Sequence, residues 1–247
     1  MTDLTPQELL IAAIARLLQG SRHIAVGASS PIPAAAAFLL RETAATSITV
    51  NVLGSLANNS FTSGSMELFD CAGQGRLDAF FLGGGQIDGS ANINLVGTGD
   101  SYPRNDVRWP GSFGSAYLYY VVPKVILFRE EHSLRALVDR VDFVSAPGTS
   151  PPGVHRPGGP RHLVTGMGLF DFDPTRARFS LVSTHPGFTL DDVRKNTGFS
   201  FDAKKPTPTT PSPDATILAL IRGRIRDEIA ETYPRFAEQA FAKPVTC

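Results

Sequence analysis

The sequence predicts an α/β protein built on a mostly parallel open sheet flanked by helices. Three observations carry this. Short apolar, β-branched runs alternate with helical stretches through the first half of the chain, the pattern of strands joined by crossover helices. Several of those runs end in glycine, which suits tight exits from a sheet. The 247 residues are 42% apolar, enough to bury a core of one large α/β domain. We therefore expect a single domain over residues 1–247, with a proline-rich connection at 204–213 leading to a C-terminal helix.

The elements follow in order. "TPQELLIAAIARLL" begins a helix: Thr5 caps, Pro6 fits the first helical position, and Glu8 completes a capping box. Leu10, Ile14, Leu17 and Leu18 give it one apolar face. "HIAVG" (His23–Gly27) reads as a short buried strand, and "AAAAFLLRE" as a small-residue helix able to pack closely on a sheet. "SITVNVLG" (Ser47–Gly54) is a β-branched strand. "SMELFDCAGQG" is a helix capped by Ser65, and "RLDAFFLGGG" is the next strand.

In the second half, "PKVILF" and "RVDFVS" read as strands. "HLVTGMGLFDF" and "ARFSLVSTHPG" flank the turn sequence "DPTR" and predict a hairpin. "TLDDVRKNTGF" is a helix capped by Thr189, with two aspartates where the helix dipole favours them. "KKPTPTTPSP" (Lys204–Pro213) is extended, and "DATILALIRGRIRDEIAETY" is helical until Pro234 ends or kinks it.

Composition excludes several classes. Lys+Arg and Asp+Glu both number 23, so net charge is zero and no basic stripe points to nucleic acid. Cys71 and Cys247 have no CxxC or metal-ligand spacing, and the five histidines show none either, so no metal site is expected. "AYLYYVVPKVILF" is interrupted by Pro123 and Lys124, too short to span a membrane. "MTDLTPQELL" lacks a signal-peptide pattern, and the expected location is cytoplasmic.

The familiar catalytic motifs are missing. There is no Walker A sequence, and Gly83-x-Gly85 is followed by Asp88 where a dinucleotide fingerprint needs glycine. "GASSP" and "GDSYP" end in proline where a hydrolase elbow needs glycine. What remains is "FLGGGQIDGSANINLVG" (Phe81–Gly97), three glycines at the carboxyl end of a strand followed by Gln86, Asp88, Asn92 and Asn94. Ligands of parallel α/β sheets bind at such strand ends, and bare N–H groups there can face a developing oxyanion. A tight turn needing positive φ is the alternative.

The stretch "GQGRLDAFFLGGGQIDGSANINLVG" resembles the β subunit of family I CoA-transferases of the glutaconate CoA-transferase type. "VRWPGSFGSAYL", "RVDFVSAPG", "GLFDF" and "VSTHPGFTLDDVRKNTGF" fit the same pattern in the same order, over roughly residues 5–235. The resemblance implies a NagB/RpiA/CoA-transferase-like fold and a homologous α subunit as partner. It also implies a coenzyme A thioester as substrate, with no tightly bound cofactor. The family's reaction moves CoA from an acyl-CoA to a carboxylate through a glutamate nucleophile and an acyl-glutamyl anhydride. By this resemblance Gly83 and Gly84 are the candidate oxyanion donors. Leu53, Asn58, Gly85, Gln86, Gly111 and Ser112 are candidate substrate-binding positions.

One departure stands out. Aligned on the glycine of "NVLGSLANN", the nucleophilic glutamate position holds Leu53, which cannot attack a thioester. Glu42 reads as a solvent-facing helix end and Glu67 as a first-turn helix carboxylate. Some members of the superfamily lack this glutamate and hydrolyse carbon–carbon bonds of CoA-linked rings with a carboxylate from the partner; a non-catalytic scaffold is the further alternative. Asn51, Asn58 and Asn59 surround the Leu53 position and could bind an acyl carbonyl or carboxylate, with a turn at Asn58 and Asn59 as the alternative. Gln86 and Asp88 either touch substrate or order the loop. "PGSFGS" either borders the CoA or acyl pocket or is a plain turn. His185 is a proton carrier or a hydrogen-bonded structural histidine, and Arg156 and Arg161 meet CoA phosphates or sit in an exposed loop.

Overall fold

The computed structural model describes residues 4–99 and 103–241. Cys247 and the Asp100–Tyr102 part of "GDSYP" lie outside the described residues. In chain order the elements are α1 (Pro6–Leu17), β1 (His23–Val26), α2 (Pro31–Thr43), β2 (Thr49–Val52), α3 (Ser65–Gly73) and β3 (Ala79–Leu82). Next come β4 (Gln86–Ile87), β5 (Ile93–Asn94), β6 (Gly97–Thr98), β7 (Val107–Arg108), α4 (Ser115–Val121) and β8 (Lys124–Arg129). β9 (Pro160–Thr165), β10 (Gly168–Asp173), β11 (Arg178–Thr184), α5 (Leu190–Lys195) and β12 (Asp202–Ala203) follow. The chain ends with α6 (Ala215–Leu220), a π turn (Ile221–Ile225), α7 (Arg226–Ile229) and α8 (Pro234–Gln239).

These elements form two compact units. One comprises residues 1–68, 77–79 and 211–247; the other comprises 69–76 and 80–210. The proline-rich stretch carries the chain from the second back to the first.

In the first unit, β1 and β2 pair in parallel with Ala25 opposite Asn51. The predicted capping box starts α1: Glu8 N donates to Thr5 Oγ1 (3.2 Å) and Thr5 N to Glu8 Oε2 (2.9 Å). Glu8 is fully buried, and Arg222 of the π turn reaches it with two donors at 2.6 and 2.9 Å. A buried carboxylate is tolerated only with such partners, so this pair ties the C-terminal helices to α1. The alanine run of α2, Ala34–Ala37, is wholly buried, and small side chains there allow close approach of its neighbours. Pro234 does more than end a helix: it sits in the first turn of α8, where its missing N–H has no partner to lose.

The second unit holds strands in the order β12-β11-β10-β9-β8-β3. β8–β9 and β11–β12 are parallel, while β9–β10 and β10–β11 are antiparallel. The expected hairpin is β10–β11, and its turn is held by Asp173 Oδ1, which accepts from Thr175 N (2.9 Å) and Arg176 N (3.2 Å). "RVDFVS" is not a strand. Two of its amides go to side chains, with Val141 N directed at Asp88 Oδ2 (3.5 Å) and Asp142 N donating to Gln86 Oε1 (3.0 Å), while Ser145 N donates to Ile93 O (2.9 Å).

Two histidines are buried beneath this sheet. His132 Nε2 lies 2.9 Å from Thr197 Oγ1, whose own proton goes to Val193 O (2.7 Å), and His132 Nδ1 lies 2.7 Å from Thr165 Oγ1. Both ring nitrogens are thus used by a neutral imidazole. Burial, with the His185 charge adding to it, pushes the His132 pKa down from 6.5 to about 4. In the unfolded chain the ring binds a proton near 6.5, so acid favours unfolding. This contribution is intact above pH 6.5 and is lost as pH falls through about 4, on the order of 3 kcal/mol in all. Urea unfolding measured from pH 7 to pH 4 should show that fall, and His132→Gln should flatten it.

Candidate active site

β3 is buried along its whole length and delivers the chain to Gly83, Gly84 and Gly85. Each glycine sits where a side chain would collide. A Cβ on Gly83 would lie 3.0 Å from Phe128 O, one on Gly84 would lie 2.8 Å from Gln86 O, and one on Gly85 would overlap the Trp109 ring. Gly85 N donates to Asn94 O at 2.9 Å. The N–H groups of Gly83 and Gly84 have no acceptor among the described residues, although Gly84 is buried. An unsatisfied buried amide costs about 1–3 kcal/mol, and a ligand oxygen would relieve that.

The polar residues after the glycines explain how so bare a loop stays ordered. Gln86 and Asn94 face each other in the two-stranded β4–β5 ribbon, and Asn94 Nδ2 donates to both Gln86 Oε1 (2.8 Å) and Gly97 O (2.7 Å). Asn94 Oδ1 accepts from Val96 N (3.0 Å) and Gly97 N (3.4 Å). Asp88 Oδ1 accepts from Ser90 N and Asn92 N, both at 3.0 Å, and its Oδ2 accepts from Asn92 Nδ2 at 3.0 Å. Asn92 Oδ1 in turn accepts from Gly148 N (3.1 Å). Gln86, Asp88 and Asn94 are buried, and these bonds supply what a regular ladder would.

Other predicted positions in this unit divide. Gly111 adopts φ +108°, its N–H bonds Leu95 O (3.2 Å), and Ser112 O accepts from Ser115 N (2.9 Å). Between them and α4, Phe113 stands 84% exposed at φ +44°. Arg156 spends its fork on Gly158 O, Pro147 O and Tyr119 O at 2.9–3.0 Å, and Arg161 Nε donates to Pro123 O (3.1 Å). His185 bonds Thr165 O and Thr210 Oγ1, both at 2.9 Å, and burial holds its pKa below the usual histidine value. It is engaged by structure on both nitrogens.

Leu53 and Asn58 belong to the other unit. Leu53 is half-buried, and its N–H extends the β1–β2 ladder to Val26 O (2.9 Å). Asn58 closes the turn: its N–H bonds Ser55 Oγ (2.9 Å), its carbonyl accepts from Val52 N (2.7 Å), and its side chain accepts from Arg41 (3.1 Å). Asn51 is buried, accepting from Ser60 N (2.7 Å) and Oγ (2.8 Å) and lying 2.9 Å from His23 Nε2. Glu67 folds back on the start of its own helix. Bonds from Ser63 N (3.2 Å), Thr62 N and Thr62 Oγ1 (3.0 Å) lower its pKa. Glu42 is not solvated as expected: its side chain is 14% exposed and pairs with Arg224 at 2.9 Å.

Sequence reasoning missed the arginine on this loop. Arg129, at the end of β8, donates from Nη1 to Gly84 O (2.9 Å) and from Nη2 to Glu131 Oε2 (2.7 Å). The charged run "REEHS" after "PKVILF" was the available signal.

The coenzyme A transferase family profile matches residues 8–196. The B-type subunit of glutaconate CoA-transferase from Acidaminococcus fermentans is 33% identical over 152 residues, covering 59% of this chain and 56% of that protein. The chain thus spans little more than half of that relative's length in the match. The IpdB subunit of the cholesterol ring-cleaving hydrolase from Rhodococcus jostii is 26% identical over 249 residues, covering 90% of this chain and 92% of that protein. The crystal structure of Rhodococcus jostii IpdAB shares the fold, with a TM-score of 0.81 and 24% identity over 98% of this chain and 100% of that one.

Asp88→Ala would strand the Ser90 and Asn92 amides that its carboxylate now receives. Urea unfolding should show a loss of about 3 kcal/mol, with Asp88→Asn losing less because one acceptor oxygen survives.

Proposed function

This chain belongs to the coenzyme A transferase family, and we propose that it is the B-type subunit of a two-subunit cytoplasmic enzyme acting on an acyl-CoA thioester. Gly83 and Gly84 act as the oxyanion hole, their N–H groups receiving the charge that develops on the thioester oxygen. The observation that carries this reading is the pair of adjacent glycine amides, at the end of a buried strand, without acceptors among the described residues. Coenzyme A enters as part of the substrate, and the chain holds no cofactor of its own in this reading.

The chemistry divides between chains. Attack of a carboxylate on the thioester carbonyl puts negative charge on its oxygen, and CoA thiolate leaves as an anhydride forms. The thiolate then attacks the enzyme-side carbonyl of the anhydride, which releases the donor carboxylate and leaves an enzyme-CoA thioester, and an acceptor carboxylate reverses both steps to leave with CoA. Each donor aimed at the oxygen is worth roughly 2.7–4 kcal/mol in the transition state, and water must be kept from the anhydride. Leu53 stands where the family resemblance places the attacking glutamate. Glu42 is held by Arg224 and Glu67 by its own helix start. The reactive carboxylate therefore comes from a homologous α-type partner. In this reading Gly85, Gln86, Gly111 and Ser112 shape the substrate side, and Leu53 and Asn58 of the other unit are further candidate substrate-binding positions.

The same Leu53 supports a second reading, hydrolysis of a carbon–carbon bond in a CoA-linked substrate with a partner carboxylate activating water. The full-length likeness to IpdB favours keeping it.

Reconstitution with the α-type partner separates these readings. Acyl-CoA turnover that needs a carboxylate acceptor marks transfer, and turnover with water alone marks hydrolysis. Gly83→Val, whose Cβ meets Phe128 O at 3.0 Å, should lower kcat by about 100-fold or more with assembly intact. Full activity in that variant would mean the chain is a scaffold.

A further inference from the structure

We propose that Arg129 is a positioning residue for the glycine loop, held in its working orientation by Glu131. The consequence for turnover rests on the oxyanion reading above; the anchoring itself does not.

The peptide between Gly84 and Gly85 is bonded at both ends. Its carbonyl, on Gly84, accepts from Arg129 Nη1 (2.9 Å), and its N–H, on Gly85, donates to Asn94 O (2.9 Å). The preceding two peptides carry the N–H groups of Gly83 and Gly84, which have no acceptor among the described residues. Their direction depends on the backbone dihedrals of those glycines, which sterics leave loose. β3 holds them on the Leu82 side, and the Gly84–Gly85 plane holds them on the other. With Arg129 gone, one bond remains on that plane, and nothing among the glycines' own side groups opposes its rotation.

The guanidinium is itself oriented. Arg129 Nη2 reaches Glu131 Oε2 (2.7 Å) while Glu131 Oε1 accepts from Ser133 Oγ (2.6 Å), and Arg135 adds Nε at 3.1 Å to Oε1 and Nη2 at 2.8 Å to Oε2. The Ser133 hydroxyl, followed by Arg129, draws the Glu131 pKa down to about 2, so the anchor stays ionised at neutral pH. A planar fork serves a carbonyl and a carboxylate at once, which a lysine ammonium does not. The Arg129 and Glu131 side chains are 31% and 30% exposed, and ion pairs so placed add little to global stability. The effect of the pair is therefore local to the loop.

Hydrogen exchange on the full chain tests the anchoring directly. In Arg129→Gln, the amides of residues 82–86 should exchange about 10-fold faster or more while the unfolding temperature holds. In the reconstituted complex, assayed with the thioester turned over by the native enzyme, kcat should fall by about 100-fold with KM unchanged. Arg129→Lys should not recover it, whereas millimolar guanidinium should partly restore Arg129→Ala. Unchanged exchange at 82–86 overturns the proposal, as does a general loss of stability and assembly. If Arg129→Gln frees the loop but Gly83→Val keeps full turnover, the anchoring stands and the oxyanion reading falls.

Discussion

A run of three glycines has no side chains with which to hold itself, so its order must come from the residues around it. Here that constraint is met by amides and a carboxylate. Asn94 spans Gln86 and Gly97, Asp88 gathers Ser90 and Asn92, and Asn92 reaches Gly148. Buried polar groups stabilise only when all their bonds are made. This set comes close to that condition, and the Gly83 and Gly84 amides have no acceptor among the described residues.

What was legible in the sequence was local. Thr5 and Glu8 are three positions apart, and the "DPTR" turn needs only Asp173 to bond the next two amides. The glycine loop was singled out by its family resemblance, because the residues alone left a tight turn as the alternative. Long-range pairs were not legible. Glu8 and Arg222 are 214 residues apart, and nothing in α1 announces a buried carboxylate's partner. "RVDFVS" misled because β-branched alternation describes a half-buried extended chain. Whether such a chain joins a ladder depends on what meets its N–H groups, and here Asp88 and Gln86 do.

The roles of the acidic residues separate in the same way. Glu8 is buried against Arg222, Glu42 meets Arg224, Glu131 collects Arg129 and Ser133, and Glu231 receives Ser55 and the Leu56 amide. Each is matched to donors that fix backbone or helix ends. A nucleophilic carboxylate needs the opposite, an oxygen free to attack. With Leu53 at that place, the chain's contribution to chemistry under the proposed function lies in donors rather than in an attacking group.

That division has a physical logic. A Gly84 N–H that is buried and has no acceptor among the described residues costs the folded chain about 1–3 kcal/mol. The same N–H, already aimed and desolvated, needs no reorganisation when charge appears on a ligand oxygen, which is the condition under which a donor acts most strongly. Such a strained arrangement persists only if the neighbouring peptide is over-determined. The Gly84–Gly85 plane is, by Arg129 on one side and Asn94 on the other. The stability given up at the Gly84 amide is thus offset by bonds placed around it, and under the proposed function the loop's rigidity and its reactivity toward an oxyanion draw on one set of contacts.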